Sequence, residues 1–329
     1  MNTFEIIMLG NASVGKTSML AVLSKEIQKV NNICGVSFSS CGRTTTDLDD
    51  AWNDLIAQIQ SGGLYRPIRS ELGGTKDYVG YNFNLCFKGE TRAKVDFIDT
   101  EGEFIKDVDG SGLLERTANA LGAFCVIDAS VLMECDSATN SRFNRPNLVA
   151  DLLGKVFARD KHPQFVAFVL TKCETWMQTS ENIQALREKF HAVYRDSIGL
   201  LQMKRINSYA MAIQTMGCVK FKSLVDVPDD KGRVLRLPQF VKTGNGVDIE
   251  SHDCERPLIV AMKNILWKMR SEKGLWGRLL DILGMGDDID TYINQLANLK
   301  LEGRRMPNGD VQKRPCFEYY EELASDYRG

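Results

Sequence analysis

Histidine is scarce in this sequence. Only His162, His191 and His252 occur among 329 residues, too few for the imidazole clusters that hold catalytic or structural zinc. His252 stands beside Asp253 and Cys254, but adjacent residues do not easily face one ion. Paired cysteines are missing as well. Nine are scattered (Cys34, Cys41, Cys86, Cys125, Cys135, Cys173, Cys218, Cys254, Cys316) with no C-x-x-C among them. An odd, unpatterned set reads as reduced thiols rather than a disulfide framework. No apolar run approaches the roughly 18 residues of a membrane span. Blocks of like charge are lacking too. The net charge of -2, from 41 basic and 43 acidic residues, gives no signal for nucleic acid. Internal repeats and low-complexity tracts are also lacking. The first apolar strand begins by Phe4, so no leader is expected and a cytoplasmic location is. What remains is an ordinary globular composition, 43% hydrophobic and 26% charged, long enough for two domains or one enlarged one.

Against that plain background one stretch stands out. Phe4–Leu9 is an apolar run that reads as a buried strand, and Ser18–Leu23 reads as a helix running to about Val30. Between them lies Gly10-Asn11-Ala12-Ser13-Val14-Gly15-Lys16-Thr17. Strand, G-x-x-x-x-G-K-[ST], helix is the phosphate-binding P-loop, or Walker A motif. Its glycines allow positive φ, so that successive N–H groups curl around an anion at a helix N-terminus. Asn11, Ala12, Ser13, Val14, Gly15, Lys16, Thr17 and Ser18 are therefore the candidate phosphate contacts. Lys16 is placed to reach the β- and γ-phosphates, and Thr17 to ligate Mg²⁺.

Residues 31–70 read as an insertion with one amphipathic helix, capped by Thr46 with Asp49 three residues on. Leu48, Trp52, Leu55, Ile56 and Ile59 share a face of it, and Gly62-Gly63 ends it. Tyr78–Phe87 then alternates apolar and polar residues, Lys88-Gly89-Glu90 turns, and Ala93–Ile98 returns into Asp99-Thr100-Glu101-Gly102. Ala123–Asp128 and Phe165–Leu170 are uninterrupted apolar runs, as buried parallel strands are. The second leads directly into Thr171-Lys172-Cys173-Glu174.

A P-loop, a Thr (Thr75), a hairpin ending in D-x-x-G and a T-K-x-E after a buried strand resemble the Ras-like, translation-factor-related class of P-loop GTPases. The resemblance covers about residues 1–270, less insertions at 31–70 and 219–256. It implies a three-layer α/β fold, a mostly parallel sheet with one antiparallel strand, decorated by helical and hairpin insertions. It implies GTP and GDP as ligands, Mg²⁺ as cofactor, and switch loops that control a protein partner. By the same resemblance Thr75 closes on Mg²⁺ and the γ-phosphate, Asp99 holds Mg²⁺, and Gly102 N–H meets the γ-phosphate. Thr171, Lys172 and Glu174 occupy the guanine-reading motif, where a carboxylate accepts two hydrogen bonds that adenine cannot donate. Glu174 is one methylene longer than the family's Asp. Thr215, after the strand Tyr209–Ile213, is the position expected to face the guanine oxygen. The insertions are closest to those of enlarged GTPases from bacterial operons, including conflict and phage-defence systems.

Glu103 marks a departure. Small GTPases carry Gln directly after D-x-x-G, and a carboxylate beside the γ-phosphate is electrostatically unfavourable, so slow intrinsic turnover is expected. The candidate catalytic set is Lys16, Thr75, Gly102 and Glu103, and the candidate metal set Thr17, Thr75 and Asp99. A nucleotide-binding adaptor with little hydrolysis and a P-loop kinase or ATPase stay open as alternatives. Further on, Ser130–Pro146 reads as a loop, Asn147 as a helix cap, and Ser180–Ile198 as one apolar helix face. Residues 219–256 read as an inserted hairpin with a second short one near Gly244-Asn245-Gly246, and Pro257 as a helix start. The domain expectation is a GTPase domain over 1–273 and a helical extension with a polar, loosely ordered tail over 274–329.

Overall fold

The side chains of the first strand divide between two interiors. Along β1 (Asn2–Leu9), Phe4, Ile6 and Met8 enter one buried cluster, and Ile7 and Leu9 enter another. That is the period of two in a strand covered on both faces, and it makes the molecule three layers. The computed structural model describes residues 2–11, 13–34, 36–60, 78–87, 90–100, 112–228, 234–243, 249, 251–271, 304–305, 311–312 and 321–324. After β1 come α1 (Lys16–Cys34), β2 (Val36–Ser40), α2 (Arg43–Gln60), β3 (Val79–Phe87), β4 (Glu90–Asp99) and α3 (Leu113–Asn119). Then follow β5 (Gly122–Asp128), α4 (Ala129–Glu134), α5 (Ser137–Phe143), α6 (Pro146–Val156), β6 (Phe165–Thr171), α7 (Ser180–Val193) and α8 (Arg195–Lys204). The remainder is β7 (Asn207–Ala212), β8 (Val219–Pro228), β9 (Val234–Lys242), α9 (Arg256–Ser271), β10 (Arg304–Arg305), β11 (Val311–Gln312) and β12 (Glu321–Ala324).

Among the described residues, eight strands form the main sheet in the order β12-β7-β6-β5-β1-β4-β3-β2. β1 pairs in parallel with β4 on one side and β5 on the other, and β5, β6 and β7 continue in parallel. α1, α2 and α9 cover one face through residues such as Leu20, Leu55 and Met262. α3, α6, α7 and α8 cover the other through Leu113, Leu152, Leu186 and Leu201. β5 and β6 are buried along their whole length. Phe168 has no exposed surface and its ring lies 5.4 Å from Phe190 and 5.6 Å from Tyr194. Truncating a ring so enclosed costs about 3–5 kcal/mol. The chain goes first to one side of β1 and then to the other. The carboxyl ends of β1, β4, β5 and β6 therefore meet at a switch point in strand order, the place where open α/β sheets bind ligands. This is the expected three-layer P-loop architecture, with β3 as the expected reversed strand.

Several local expectations differ from what forms. α1 continues to Cys34, past the expected end at Val30. In the 31–70 insertion, Val36–Ser40 adds a strand antiparallel to β3, with Phe38 1% exposed. α2 starts at Arg43, not after Thr46, because Gly42 at φ 59 makes the turn into it. Thr44 Oγ1 accepts the Asn82 N–H at 2.8 Å, fixing the helix to β3. The expected loop after β5 is two short helices, capped by Asp128 accepting from Val131 N–H and Asp136 accepting from Thr139 N–H. Asn147 is not a cap; Pro146 takes the first turn of α6 behind Arg145 at φ 49. The apolar face read over 180–198 is shared by two helices that break at Tyr194. The C-terminal stretch read as polar and loosely ordered places Glu321–Ala324 antiparallel to β7, a second reversed strand at the sheet edge. The inserted hairpin forms as β8–β9. The second hairpin near Gly244–Gly246 and the helices read beyond Gly274 lie outside the described residues.

Candidate functional site

The loop after β1 has the backbone its sequence requires. Gly10 has φ +156, and a Cβ there would stand 2.9 Å from Val126 O; Gly15 has φ +100, and a Cβ would stand 3.3 Å from Thr171 Oγ1. Ser13, between them, is left-handed at φ 67. Lys16 is buried at the start of α1. Its ammonium donates to Gly10 O at 2.7 Å and Thr100 O at 2.5 Å, and sits 2.9 Å from Asp99 Oδ1. Thr100 is itself fixed by its hydroxyl on Met8 O at 2.7 Å. One cation thus ties the loop, β1 and the end of β4 together. Burial pushes the Asp99 carboxyl above the usual carboxylate range, while Lys16 and Thr17 act against that.

Thr17 Oγ1 lies 3.5 Å from Asp99 Oδ2. Two hard oxygen donors at that separation, beside a phosphate cradle, suit Mg²⁺, which prefers few protein ligands and completes its octahedron with water and phosphate. Among the described residues no group of three or more His, Cys, Asp or Glu could hold a metal. The Tyr81 phenol on β3 shares this corner. Burial and the Asp99 charge raise its pKa, and a hydrogen bond with Thr17 opposes them. Sequence reasoning missed Tyr81, although its place on the inward face of an alternating strand was visible.

The expected base-reading residues converge behind the same loop. Thr171 is wholly buried, and its hydroxyl lies 2.5 Å from Val14 O and 3.1 Å from Ile127 O. It holds the cradle from beneath. Lys172, at φ 57, donates to Ser13 O at 2.7 Å and pairs with Asp128 Oδ2 at 2.5 Å. Asp128, the last residue of β5, uses its other oxygen to cap α4; sequence reasoning gave it no role. Backbone strain of the kind at Ser13 and Lys172 costs of order 1–3 kcal/mol per residue and persists where surroundings enforce it.

Glu174 is 1% exposed. Its Oε1 accepts the Met216 N–H at 3.0 Å, and its Oε2 has no partner. Burial raises its pKa; the Met216 hydrogen bond, the nearby backbone of Glu174 and Gly217, and the Lys172 charge oppose the rise. The Glu174 side chain joins the loops after β6 and β7. Gly15, Ser18, Lys172, Glu174, Thr215, Met216, Val219 and Phe240 line one depression. Ser18 and Thr215 are thus brought to the same place as Glu174. Asn11 lies to the side, its amide 3.5 Å from Arg142 O. Ala12, Thr75, Gly102 and Glu103 lie outside the described residues.

Solved structures that resemble the chain include the GTPase-like domain of S. cerevisiae Ski7 bound to GTP, 14% identical with a TM-score of 0.39. The same domain bound to GDP and inorganic phosphate is 14% identical with a TM-score of 0.37. Each match covers 65% of this chain and 43% of the other. A structure of sup35 complexed with GDP is 12% identical at a TM-score of 0.32, over 65% of this chain and 37% of the other. The chain spans less than half the length of these structures. No protein-family model matches the sequence, and no curated protein matches it. The P-loop architecture rests on the sheet order and cradle geometry of this chain itself.

Proposed function

We propose that this protein is a Mg²⁺-dependent, guanine-nucleotide-binding GTPase whose switch segments act on a protein partner. The observation that carries the reading is Glu174. A carboxylate 1% exposed lines a depression shared with Gly15 and Ser18 of the cradle, and one of its oxygens, sealed from solvent, has no hydrogen-bond partner. Guanine offers two adjacent donors to such an acceptor, and adenine offers neither. The phosphate and base ends are also joined physically, since Lys172 and Thr171 both hold cradle carbonyls.

In this reading Lys16 exchanges its carbonyl partners for the β- and γ-phosphate oxygens, and the Gly10–Ser18 backbone N–H groups surround the phosphate chain. Thr17 and Asp99 hold Mg²⁺, which supplies charge neutralisation of the phosphates. Thr75, Gly102 and Glu103 belong to the switch segments by sequence. With Glu103 where an amide is usual, turnover without a partner is slow, and that residue also favours a second reading, an adaptor that binds but scarcely hydrolyses. The partner-controlled switch of enlarged bacterial-operon GTPases is the form of regulation this reading takes, acting in the cytoplasm over a GTPase domain whose sheet also takes in Glu321–Ala324. No helix among the described residues is long and apolar enough to cross a membrane.

Displacement of a fluorescent GDP analogue by GTP, GDP and ATP, with Mg²⁺ and with chelator, tests the proposal. GTP and GDP displace it at concentrations at least about 100-fold below ATP, a ratio hydrogen-bond recognition can supply. Equal displacement by ATP overturns the guanine assignment. Phosphate release over many turnovers separates the slow GTPase from the adaptor.

A further inference from the structure

The inserted hairpin is built into the base end of the site. The Phe221 N–H on β8 donates to Thr175 Oγ1 at 2.7 Å, one residue beyond Glu174. The Trp176 ring lies 5.9 Å from Phe221, and Phe221 lies 6.5 Å from Phe240 of β9 at an interplanar angle of 83°. At the hairpin root, Thr243 N–H donates to Cys218 O at 2.7 Å. Just outside it, Gln214 and His252 exchange backbone hydrogen bonds of 2.9 and 2.8 Å. The insert therefore leaves and re-enters the fold beside Thr215. Farther along β9, Arg236 O accepts from Cys135 Sγ at 3.4 Å, just after α4 and so close to the helix that Asp128 caps.

Two hairpin side chains, Val219 and Phe240, stand in the wall of the depression that holds Glu174. Val219 and Phe240 are 5% and 2% exposed and the depression encloses about 20 Å³, so a purine meets these side chains only as the hairpin shifts outward from Glu174. A purine needs donors and acceptors at its edge and apolar surface at its faces. The loops after β6 and β7 supply the first through Lys172, Glu174 and backbone groups. With Met216, the hairpin supplies the second.

We propose that β8–β9 is a base-recognition element, in which Val219 and Phe240 contact the purine of the bound nucleotide. The proposal rests on the nucleotide reading above and adds the insert to the base site. The depression reaches Gly15 and Ser18 of the cradle, but Lys16, Thr17 and Asp99 do not line it, so base and phosphate contributions separate by experiment.

Titration calorimetry on the full chain with Mg²⁺ compares GDP with tripolyphosphate, which has the phosphates and no base. Val219→Trp fills the depression and lowers GDP affinity by about 100-fold, the scale of steric mismatch in an apolar pocket. Phe240→Leu, a milder exchange that keeps the core filled, lowers it by about 3- to 10-fold, the size of a lost aromatic contact. Tripolyphosphate affinity stays within about 2-fold in both, which also reports that the cradle is folded. GDP affinity unchanged in both variants, or equal losses for GDP and tripolyphosphate, overturns the proposal. Failure of the unmodified protein to bind GDP overturns instead the nucleotide reading on which it rests.

Discussion

The two ends of the candidate site are built on opposite plans. At the phosphate end the charged groups answer one another. Lys16 has Gly10 O, Thr100 O and Asp99 around it, and Thr17 faces Asp99. At the base end a carboxylate is buried among Met216, Val219 and Phe240, with one oxygen on a backbone N–H and the other unmatched. Binding a phosphate chain at the first end is an exchange of partners for Lys16, with little desolvation still to cost. Binding a base at the second end gives an acceptor what it lacks, and an unmet buried acceptor costs about 1–3 kcal/mol. In the proposed reading the phosphate end supplies affinity for any nucleotide, and the base end chooses among them.

The largest effect that tests this division is Lys16→Met. It removes the cation that three groups share. GDP and tripolyphosphate affinities both fall by at least about 100-fold, the value of charged hydrogen bonds to phosphate. The fold also weakens, because Asp99 is left buried without its partner, a change worth about 3–5 kcal/mol for a buried pair. Calorimetry and urea unfolding read the two effects. If GDP still binds while tripolyphosphate does not, the ends are not divided as described.

Glu174→Gln breaks the other side of the comparison. GDP affinity falls by about 10- to 150-fold, the range for a hydrogen bond to a charged group, while tripolyphosphate is unaffected. Preference over ADP falls with it. The sign of the pH effect follows from the raised pKa of Glu174. Below its ordinary value of 4.5 both folded and unfolded chains hold the neutral acid. As pH rises through the higher folded value the buried carboxylate must ionise, so stability falls across that window. The charge that faces it is Lys172, and the neighbouring Cys173 and Cys254 thiols, both pushed well above their ordinary range by burial, stay neutral there. The Gln variant loses this pH-dependent decline. The GDP-to-tripolyphosphate affinity ratio of the unmodified chain rises over the same window as Glu174 gains its charge. A flat ratio removes Glu174 from base recognition.

The same division explains what the sequence disclosed. The phosphate end is made of neighbours in the chain, Gly10 to Thr17, so spacing alone marks it. Asp99 was legible because a strand and a D-x-x-G frame it. The three layers were legible from the unbroken apolar runs of β5 and β6. The base end is made of residues far apart, such as Glu174 with Met216 and Lys172 with Asp128, and no local pattern records such pairs. Nothing in the local sequence singles out Val219 or Phe240 within the hairpin. β2 and the two short helices after β5 were missed for a related reason. Docking on β3 holds β2, and the Asp128 and Asp136 caps start the two helices, while each segment is too short to show a period of its own.

Thr171 lies on the boundary between the two ends and gives the smallest of these effects. Its motif position assigns it to the base, but its hydroxyl is directed to Val14 O in the cradle and Ile127 O. Thr171→Val keeps the shape and removes the hydroxyl, at a cost of about 1–2 kcal/mol in stability. Because the loss falls on the loop that surrounds phosphate, GDP and tripolyphosphate affinities drop together, by about 2- to 5-fold. A drop confined to GDP would move Thr171 to the base end and shift the boundary between the two plans to the Val14 backbone.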